Sequence, residues 1–348
     1  MLSPLKMQRL LSIALVALAL GPVAAFAEYR FVFVSHIGPR DSNAQWFEKS
    51  LAAFQEKFPD VKIDYLAPEE YSNEEFVQLI EQAIAGKPDG IAVSIIDPAA
   101  IEGALRKTID QGIPVMAFNT ADARYPAQRI PYLAYVGTNS YLDGKAAADH
   151  ALAAAEAGNA PKPIKVLCVN PDRLHAGLAD RCRGMTFRMG EALIQTDTLI
   201  TDYDPEVATE ILTDYLQRHQ DINYFYAVTA DSAPVVWKVL DDLGQSPDAD
   251  LEGATVIGVD EGPVSIAGVA NGHLLSTISQ GFWLQGWEAA AWLYWKNKFG
   301  YEPAADIYTG PVVIDKSNVG KWEAFIRRVF GDDAFEKQVA WQSVPKGS

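Results

Sequence analysis

Polar side chains of several kinds follow the short apolar runs of this sequence, where they would be free to form a ligand site. The set comprises Ser35, His36, Asn43, Asn119, Asn170, Arg181, Thr229, Asp231, Asp260 and Gln280. A carboxylate accepts hydrogen bonds from two hydroxyls, a guanidinium donates several in a fixed fork, and an amide does both. Trp46 and Phe282 add flat apolar surface. The combination suits a small ligand with many hydroxyls and one apolar ring face, as a sugar has.

Each of these side chains also has a purely structural explanation. An Asp that follows a strand is often a helix N-cap, which applies to Asp231 and Asp260. Asn119 fits a turn, and Arg181 would be satisfied by solvent or by Asp180 on the same helix. The remaining structural explanations are a core position for Trp46 and loop positions for His36 and His175. The prediction of a site therefore rests on the whole set.

The sequence contains no motif that would make such a site catalytic. The G-x-S-x-G, H-E-x-x-H and P-loop patterns are absent, and no two of the 25 glycines are spaced as G-x-G. Cys168 and Cys182, the two cysteines, are too few and too far apart for a metal site. Whether they pair as a disulfide is left open by their spacing. We predict a binding protein without catalytic activity, metal or cofactor, with a hydrolase or isomerase as the less favoured alternative.

Apolar runs typical of buried strands alternate with amphipathic helical patterns along the chain. Strands are predicted at 30–35, 61–66, 90–96, 113–118, 164–170, 224–228, 255–259 and 275–279. Helices are predicted at 44–58, 177–193, 233–243, 264–270, 284–298, 319–330 and 333–341, and after the capping residues Ser72, Asp97 and Asp204. Alternation of this kind predicts parallel sheets with helices on both faces.

The alternation restarts after about Asn139, which predicts two doubly wound α/β domains. No long Pro-, Gly- or Ser-rich linker separates them, so we expect short crossings between the domains. Ligands of parallel α/β sheets bind beyond the carboxyl ends of the strands. The polar set follows those ends in both domains, which places the predicted site between them.

The first 27 residues have the composition of an export signal. Lys6 and Arg9 precede an apolar stretch that is shorter than the roughly 20 residues of a membrane span. Residues 25–27 form a small-x-small cleavage site, so we expect export to the periplasm and a mature chain that begins at Glu28. The formal net charge of −16 argues against a nucleic-acid partner, because phosphates require basic surface.

Six short segments occur in an order that resembles the periplasmic sugar-binding proteins of the ribose/galactose-binding type, which share their fold with LacI-type repressor cores. The segments are 87–91 with Asp97-Pro98, 112–115 leading to Asn119, 135–139 with Gly144, 181–184, 257–260, and 279–280 with Gly286. The resemblance implies two Rossmann-like lobes that close on a ligand about three hinge crossings, near Asn139, Gln280 and Pro311. It implies an N-terminal lobe of 28–138 plus 281–310 and a C-terminal lobe of 139–280 plus 311–348.

The resemblance also implies that Arg181, Asp260 and Gln280 contact a sugar, and it favours a disulfide between the two cysteines. The sequence departs from the family pattern at Asn119-Thr120 and at 229–231, which leaves the particular sugar, polyol or sugar derivative open. As partners it implies the permease subunits of an ABC importer, which would be the protein's sole link to the membrane, and it is compatible with a monomer. Presentation of the ligand to a chemoreceptor or sensor kinase is the alternative.

Overall fold

The structure is a computed structural model that describes residues 29–39, 41–69, 72–246 and 253–340. The predicted signal peptide lies outside these ranges. Within them, no helix combines the length and the apolar character that a membrane crossing would need.

The described residues form two six-stranded sheets. The first sheet has the strand order β11-β5-β4-β3-β1-β2 and the second has the order β12-β10-β9-β8-β6-β7. The strands are β1 Tyr29–Val34, β2 Val61–Leu66, β3 Gly90–Val93, β4 Val115–Phe118, β5 Tyr135–Gly137, β6 Lys165–Asn170, β7 Gln195–Ile200, β8 Tyr224–Ala227, β9 Thr255–Val259, β10 Ser276–Ser279, β11 Ile307–Tyr308 and β12 Val312–Asp315.

Eleven α-helices accompany these strands within the described ranges. They are α1 Ala44–Lys57, α2 Asn73–Ala85, α3 Pro98–Asp110, α4 Ser140–Glu156, α5 Ala176–Glu191, α6 Pro205–Arg218, α7 Ser232–Asp242, α8 Pro263–Asn271, α9 Phe282–Phe299, α10 Val319–Phe330 and α11 Asp332–Val339. The predicted fold class, two α/β lobes built on parallel sheets, is confirmed.

Local sequence chemistry explains where several elements begin. Ser72, Asp97 and Asp204 each accept a hydrogen bond from a backbone N–H in the first turn of the following helix, as their types predict. Strands β2 and β9 match their predicted limits residue for residue. One edge strand departs from the parallel arrangement, because β12 runs antiparallel to β10.

The chain passes between the two sheets three times, and the crossing segments lie side by side. The Thr309 backbone N–H donates to the Gly137 carbonyl at 2.8 Å, and the Thr309 hydroxyl donates to the Gln280 carbonyl at 2.6 Å. Gly281 has a φ of +72°, and a Cβ there would lie 2.5 Å from the Thr309 carbonyl oxygen. A side chain at this position would therefore both strain and separate the crossings.

Helices α4 and α5 pack closely because each has a glycine at their contact. A Cβ on Gly144 would lie 1.9 Å from the Arg181 carbonyl oxygen, and one on Gly184 would lie 2.0 Å from that of Tyr141. Cys168 of β6 and Cys182 of α5 form a disulfide, with their Cα atoms 5.7 Å apart. These contacts fix the backbone of α5 at Arg181 and over the three residues that follow it.

Candidate functional site: the cleft between the lobes

The carboxyl ends of the two sheets face each other, and polar side chains from both lobes meet there. The Asn43 side-chain amide, at the start of α1, donates to Asp260 Oδ2 of the opposite lobe at 3.3 Å. The rings of His36 and His175 also approach across the cleft, with centroids 6.1 Å apart. The structure thus brings together residues that are more than 130 positions apart in the sequence.

Asp260 is the most connected side chain in the cleft. Its Oδ1 accepts from the Gln280 side-chain amide, while Oδ2 accepts from the Ala230 backbone N–H at 3.2 Å in addition to Asn43. Its φ is +77°, an unusual value for a residue with a side chain. The N-cap explanation does not hold for Asp260, because α8 begins later and has Gly262 as its N-cap.

Glu261 joins this network and was not predicted. Its two carboxylate oxygens accept from the backbone N–H groups of Gln280, at 3.0 Å, and Phe282, at 2.7 Å. Burial raises the pKa of Glu261 to about 7, and the neighbouring Asp260 carboxylate adds to the rise. Glu261 therefore holds the second crossing segment against the end of β9.

Arg181 reaches the cleft from α5 and is almost fully buried. Its Nη1 donates to the Val228 carbonyl at 2.6 Å, and its Nε lies 3.7 Å from Asp143 Oδ2. Asp180 instead pairs with Arg183, so the structural explanation that paired Asp180 with Arg181 is wrong. Burial raises the pKa of Asp143 to about 6, against the opposing effect of the Arg181 charge.

Several buried polar atoms in and beside the cleft have no hydrogen-bonding partner among the described residues. They are Asn43 Oδ1, Asp143 Oδ2, Arg181 Nε and Tyr226 OH. A buried polar atom without a partner costs about 1–3 kcal/mol. Arg181 Nε and Asp143 Oδ2 do attract each other as an ion pair at 3.7 Å, but none of the four atoms makes a hydrogen bond within the described residues.

Asp41 brings another carboxyl group to the cleft. Its Oδ1 accepts from the Asn43 backbone N–H at 2.7 Å. Burial raises the pKa of Asp41 to about 7, and the carboxylates of Asp231 and Asp260 contribute to the rise. The surroundings of Asn43 are therefore rich in carboxylates from both lobes.

Asn119 lies where the first lobe meets the crossings. Its backbone is left-handed, with a φ of +60°, as suits an Asn in a turn. The side-chain amide donates to Gln285 Oε1 at 3.0 Å, and Gln285 in turn donates to the Gln280 carbonyl at 2.9 Å. Asn119 is thus connected to Gln280 through one intermediate side chain.

Three other predicted site residues have local partners. The Ser35 hydroxyl and the Asn170 side-chain amide oxygen each accept from a backbone N–H two residues further on. Thr229 Oγ1 accepts from the Ser232 N–H at 3.2 Å, which is the capping role considered for Asp231. Asp231 itself makes no capping hydrogen bond, and burial together with the nearby Asp260 carboxylate raises its pKa.

His36 is held on its own lobe by the Ser94 hydroxyl, at 3.0 Å from its backbone N–H and 2.9 Å from ring Nδ1. Burial lowers the pKa of His36 to about 3, and the nearby His175 lowers it further. Both effects keep the ring neutral at physiological pH.

The two aromatic residues predicted to support a ligand ring lie in the hydrophobic core instead. Trp46 is fully buried against Phe325 and Phe330 of α10. Phe282 is 1% exposed and packs edge-to-face on Phe47 at 5.5 Å. Helical spacing is the same for a core residue and for a cleft residue, so it did not distinguish the two. Within the described ranges, no three His, Cys, Asp or Glu side chains are grouped closely enough to hold a metal ion.

Two α/β lobes, three adjacent crossings and a polar cleft between the lobes define the class of periplasmic binding proteins. The family model described as a periplasmic binding protein domain matches residues 34–296, and the chain belongs to this family.

Individual proteins of known identity are similar over most of the chain. The xylose/arabinose-binding protein XylF of Sulfolobus acidocaldarius is 26% identical, over 86% of this chain and 74% of that protein. The solved structure of a carbohydrate transporter from Acidothermus cellulolyticus in complex with myo-inositol has a TM-score of 0.73 and 26% identity, over 87% and 99% of the two chains. An ABC transporter solute-binding protein from Agrobacterium vitis with bound D-fucose has a TM-score of 0.72 at 20% identity, over 85% and 99%.

Proposed function

We propose that this protein is the solute-binding component of an ABC importer, and that it captures a monosaccharide or sugar derivative between its two lobes. The observation that carries the proposal is the group of buried, unpartnered donors and acceptors around Arg181 and Asn43. A polyhydroxy ligand both donates and accepts, so it would satisfy oxygen and nitrogen atoms of this mixed kind. The similar proteins support the same ligand class, because their descriptions name pentoses, myo-inositol and D-fucose.

The charges of the cleft favour a neutral ligand over a sugar acid. Asp41, Asp231 and Asp260 bring carboxylates from both lobes, whereas Arg181 is engaged by the Val228 carbonyl and lies beside Asp143. An anionic ligand would meet this negative charge in a buried site, where like-charge repulsion is screened least. We expect a uronic acid to bind more weakly than the neutral sugar of the same stereochemistry.

The three crossings serve as the hinge in this proposal. We assign 28–138 plus 281–310 to the N-terminal lobe and 139–280 plus 311–348 to the C-terminal lobe. Ligand would enter when the lobes separate, and the closed protein would dock as a monomer on the permease without catalysing a reaction. Removal of the signal peptide near Ala27 would release the mature chain into the periplasm.

The proposal is tested by a thermal-shift screen of the mature chain against neutral sugars, polyols and uronic acids. A ligand at about 100 times its dissociation constant stabilises the folded protein by roughly 2.7 kcal/mol. Arg181→Ala should lose the response, whereas Arg183→Ala, on an exposed position of the same helix, should keep it. Full affinity in Arg181→Ala, or catalytic consumption of a sugar in the panel, would contradict the proposal.

A further inference from the structure

The last two helices form a hairpin that is anchored on the C-terminal lobe. Both α10 and α11 pack against α8, and Ile326 and Phe335 are buried there. The Arg327 guanidinium lies 4.1 Å from the centre of the Phe335 ring and bonds Glu323 at 2.8 Å and Glu336 at 2.7 Å. Arg327 thus ties α10 to α11, and the hairpin should move with its lobe as one unit.

The same hairpin also contacts the N-terminal lobe through aromatic rings. Phe330 meets Trp46 edge-to-face at 4.6 Å, and Phe325 stacks on Trp46 at 5.9 Å. Phe325 also packs edge-to-face on Trp283 of α9, at 6.0 Å. The hairpin therefore touches both helices, α1 and α9, that start at the N-terminal lobe's side of the cleft.

Trp46 and Trp283 are firmly attached to the N-terminal lobe. Helices α1 and α9 pack along each other, and the Ser50 hydroxyl donates to the Trp283 carbonyl at 2.7 Å. Trp46 has no exposed surface, and part of its cover comes from a hairpin anchored on the other lobe. A rotation that separates the lobes about the crossings would pull this cover away and expose an indole to water.

We propose that the C-terminal hairpin is a latch that holds the lobes together through Phe325 and Phe330 on Trp46. These two phenylalanines are positioning residues, because they act on the balance between open and closed lobes. Exposure of Trp46 disfavours the open form, since burial of an aromatic ring is among the larger apolar contributions of a single side chain. The contact of the hairpin with Trp46 needs no ligand, whereas the effect of that contact on ligand affinity rests on the proposed function.

The latch is tested first without ligand, by the distance between spin labels on the two lobes of the mature chain. Tyr125→Cys and Leu174→Cys offer exposed label sites on loops of the N-terminal and C-terminal lobes. Phe330→Ala should shift the distance distribution to longer values. Phe299→Ala, which removes an exposed ring of α9, should leave it unchanged, and Phe330→Leu should restore part of the short distances.

The second measurement is the affinity for the sugar found in the screen. If Phe330→Ala reduces the closed fraction to about a tenth of the parent's value, the dissociation constant should rise about tenfold. A variant that is less stable to urea but keeps the parent's distance distribution would overturn the proposal, because the ring would then be structural only. The distance measurement needs no sugar, so this outcome is distinguishable from a failure of the proposed function.

Discussion

On the C-terminal lobe, the cleft is lined by buried charged groups whose hydrogen-bonding capacity the described residues do not fully satisfy, with Arg181 and Asp143 as the main examples. On the N-terminal lobe, Ser35, His36 and Asn119 are neutral, and their side chains bond within the same lobe or to the crossings. Asn43 and Asp41 are the exceptions, since Asn43 reaches Asp260 and keeps one oxygen unpartnered, and Asp41 adds a carboxyl group to the cleft. From this difference we expect the C-terminal lobe to supply most of the binding strength and the N-terminal lobe to complete the proposed site on closure.

The largest effect should come from a residue of the C-terminal lobe. Asp260→Asn turns two charge-assisted hydrogen bonds to the ligand, worth about 1.5–3 kcal/mol each, into neutral ones worth about 0.5–1.5 kcal/mol each, so the dissociation constant should rise by about 30- to 150-fold. Asn43→Ala removes one neutral partner and should cost about tenfold or less. Isothermal titration calorimetry measures both changes. Equal losses in the two variants would contradict the asymmetry.

The disulfide should make the C-terminal lobe's half of the site the more sensitive to reduction. Replacing both Cys168 and Cys182 by Ala removes a cross-link with a sequence separation of 14. A cross-link that closes a loop of about 15 residues raises the free energy of unfolding by roughly 3 kcal/mol. Urea unfolding should show this loss, and dithiothreitol should destabilise the parent but not the double variant. The disulfide's role would be refuted if both proteins responded equally to the reductant.

Glu261 should make the protein less stable as the pH rises, which is the opposite of ordinary acid denaturation. Its pKa is raised to about 7 in the folded protein, so its protonated form favours folding. This stabilising contribution is fully present below pH 4.5, the pKa of Glu261 in the unfolded chain. It is lost as the pH rises through about 7, the pKa of Glu261 in the folded protein. Glu261→Gln should therefore flatten the decline in unfolding free energy between pH 5 and 8, by on the order of 2 kcal/mol.

Glu56→Gln makes the same change of charge on an exposed helix position and is the matched control. Unfolding free energies from urea titrations at several pH values give the comparison. If the slopes of Glu261→Gln and the parent coincide, Glu261 does not titrate in this range.

His36, on the other lobe, should act in the opposite direction. Its pKa is lowered to about 3, below the unfolded value of 6.5, so folding favours the neutral ring. Its contribution is present above pH 6.5 and is lost as the pH falls toward 3. Between pH 7 and pH 5, the free energy of unfolding should fall by about 2 kcal/mol less in His36→Gln than in the parent. Identical pH profiles for the two proteins in this range would show that His36 is not responsible.

Much of the fold was predictable because strands buried on both faces are continuous apolar runs, such as β4 and β9. The elements that were missed lack this signal. Strand β5 has three residues, β7 begins with four consecutive polar residues, and α4 is rich in alanine without a clear apolar face. The short strand β12 pairs antiparallel at a sheet edge, which no local pattern reveals.

The candidate site was predictable where a polar residue directly follows a strand. Asp260 and Gln280 have such positions, and the structure places them in one hydrogen-bonded network. Asp143 and Tyr226 were missed because one lies inside the unpredicted helix α4 and the other within strand β8. Trp46 was placed wrongly because its covering residues come from α10, almost 280 positions later in the chain.

The most direct test of the central claim is a crystal structure of the mature protein with the sugar selected by the screen. The account predicts one sugar between the lobes, with hydroxyl oxygens within hydrogen-bonding distance of Arg181, Asp260 and Asn43. It also predicts that Trp46 remains covered by Phe330. A sugar bound outside the cleft, or one in the cleft that contacts neither Arg181 nor Asp260, would contradict it.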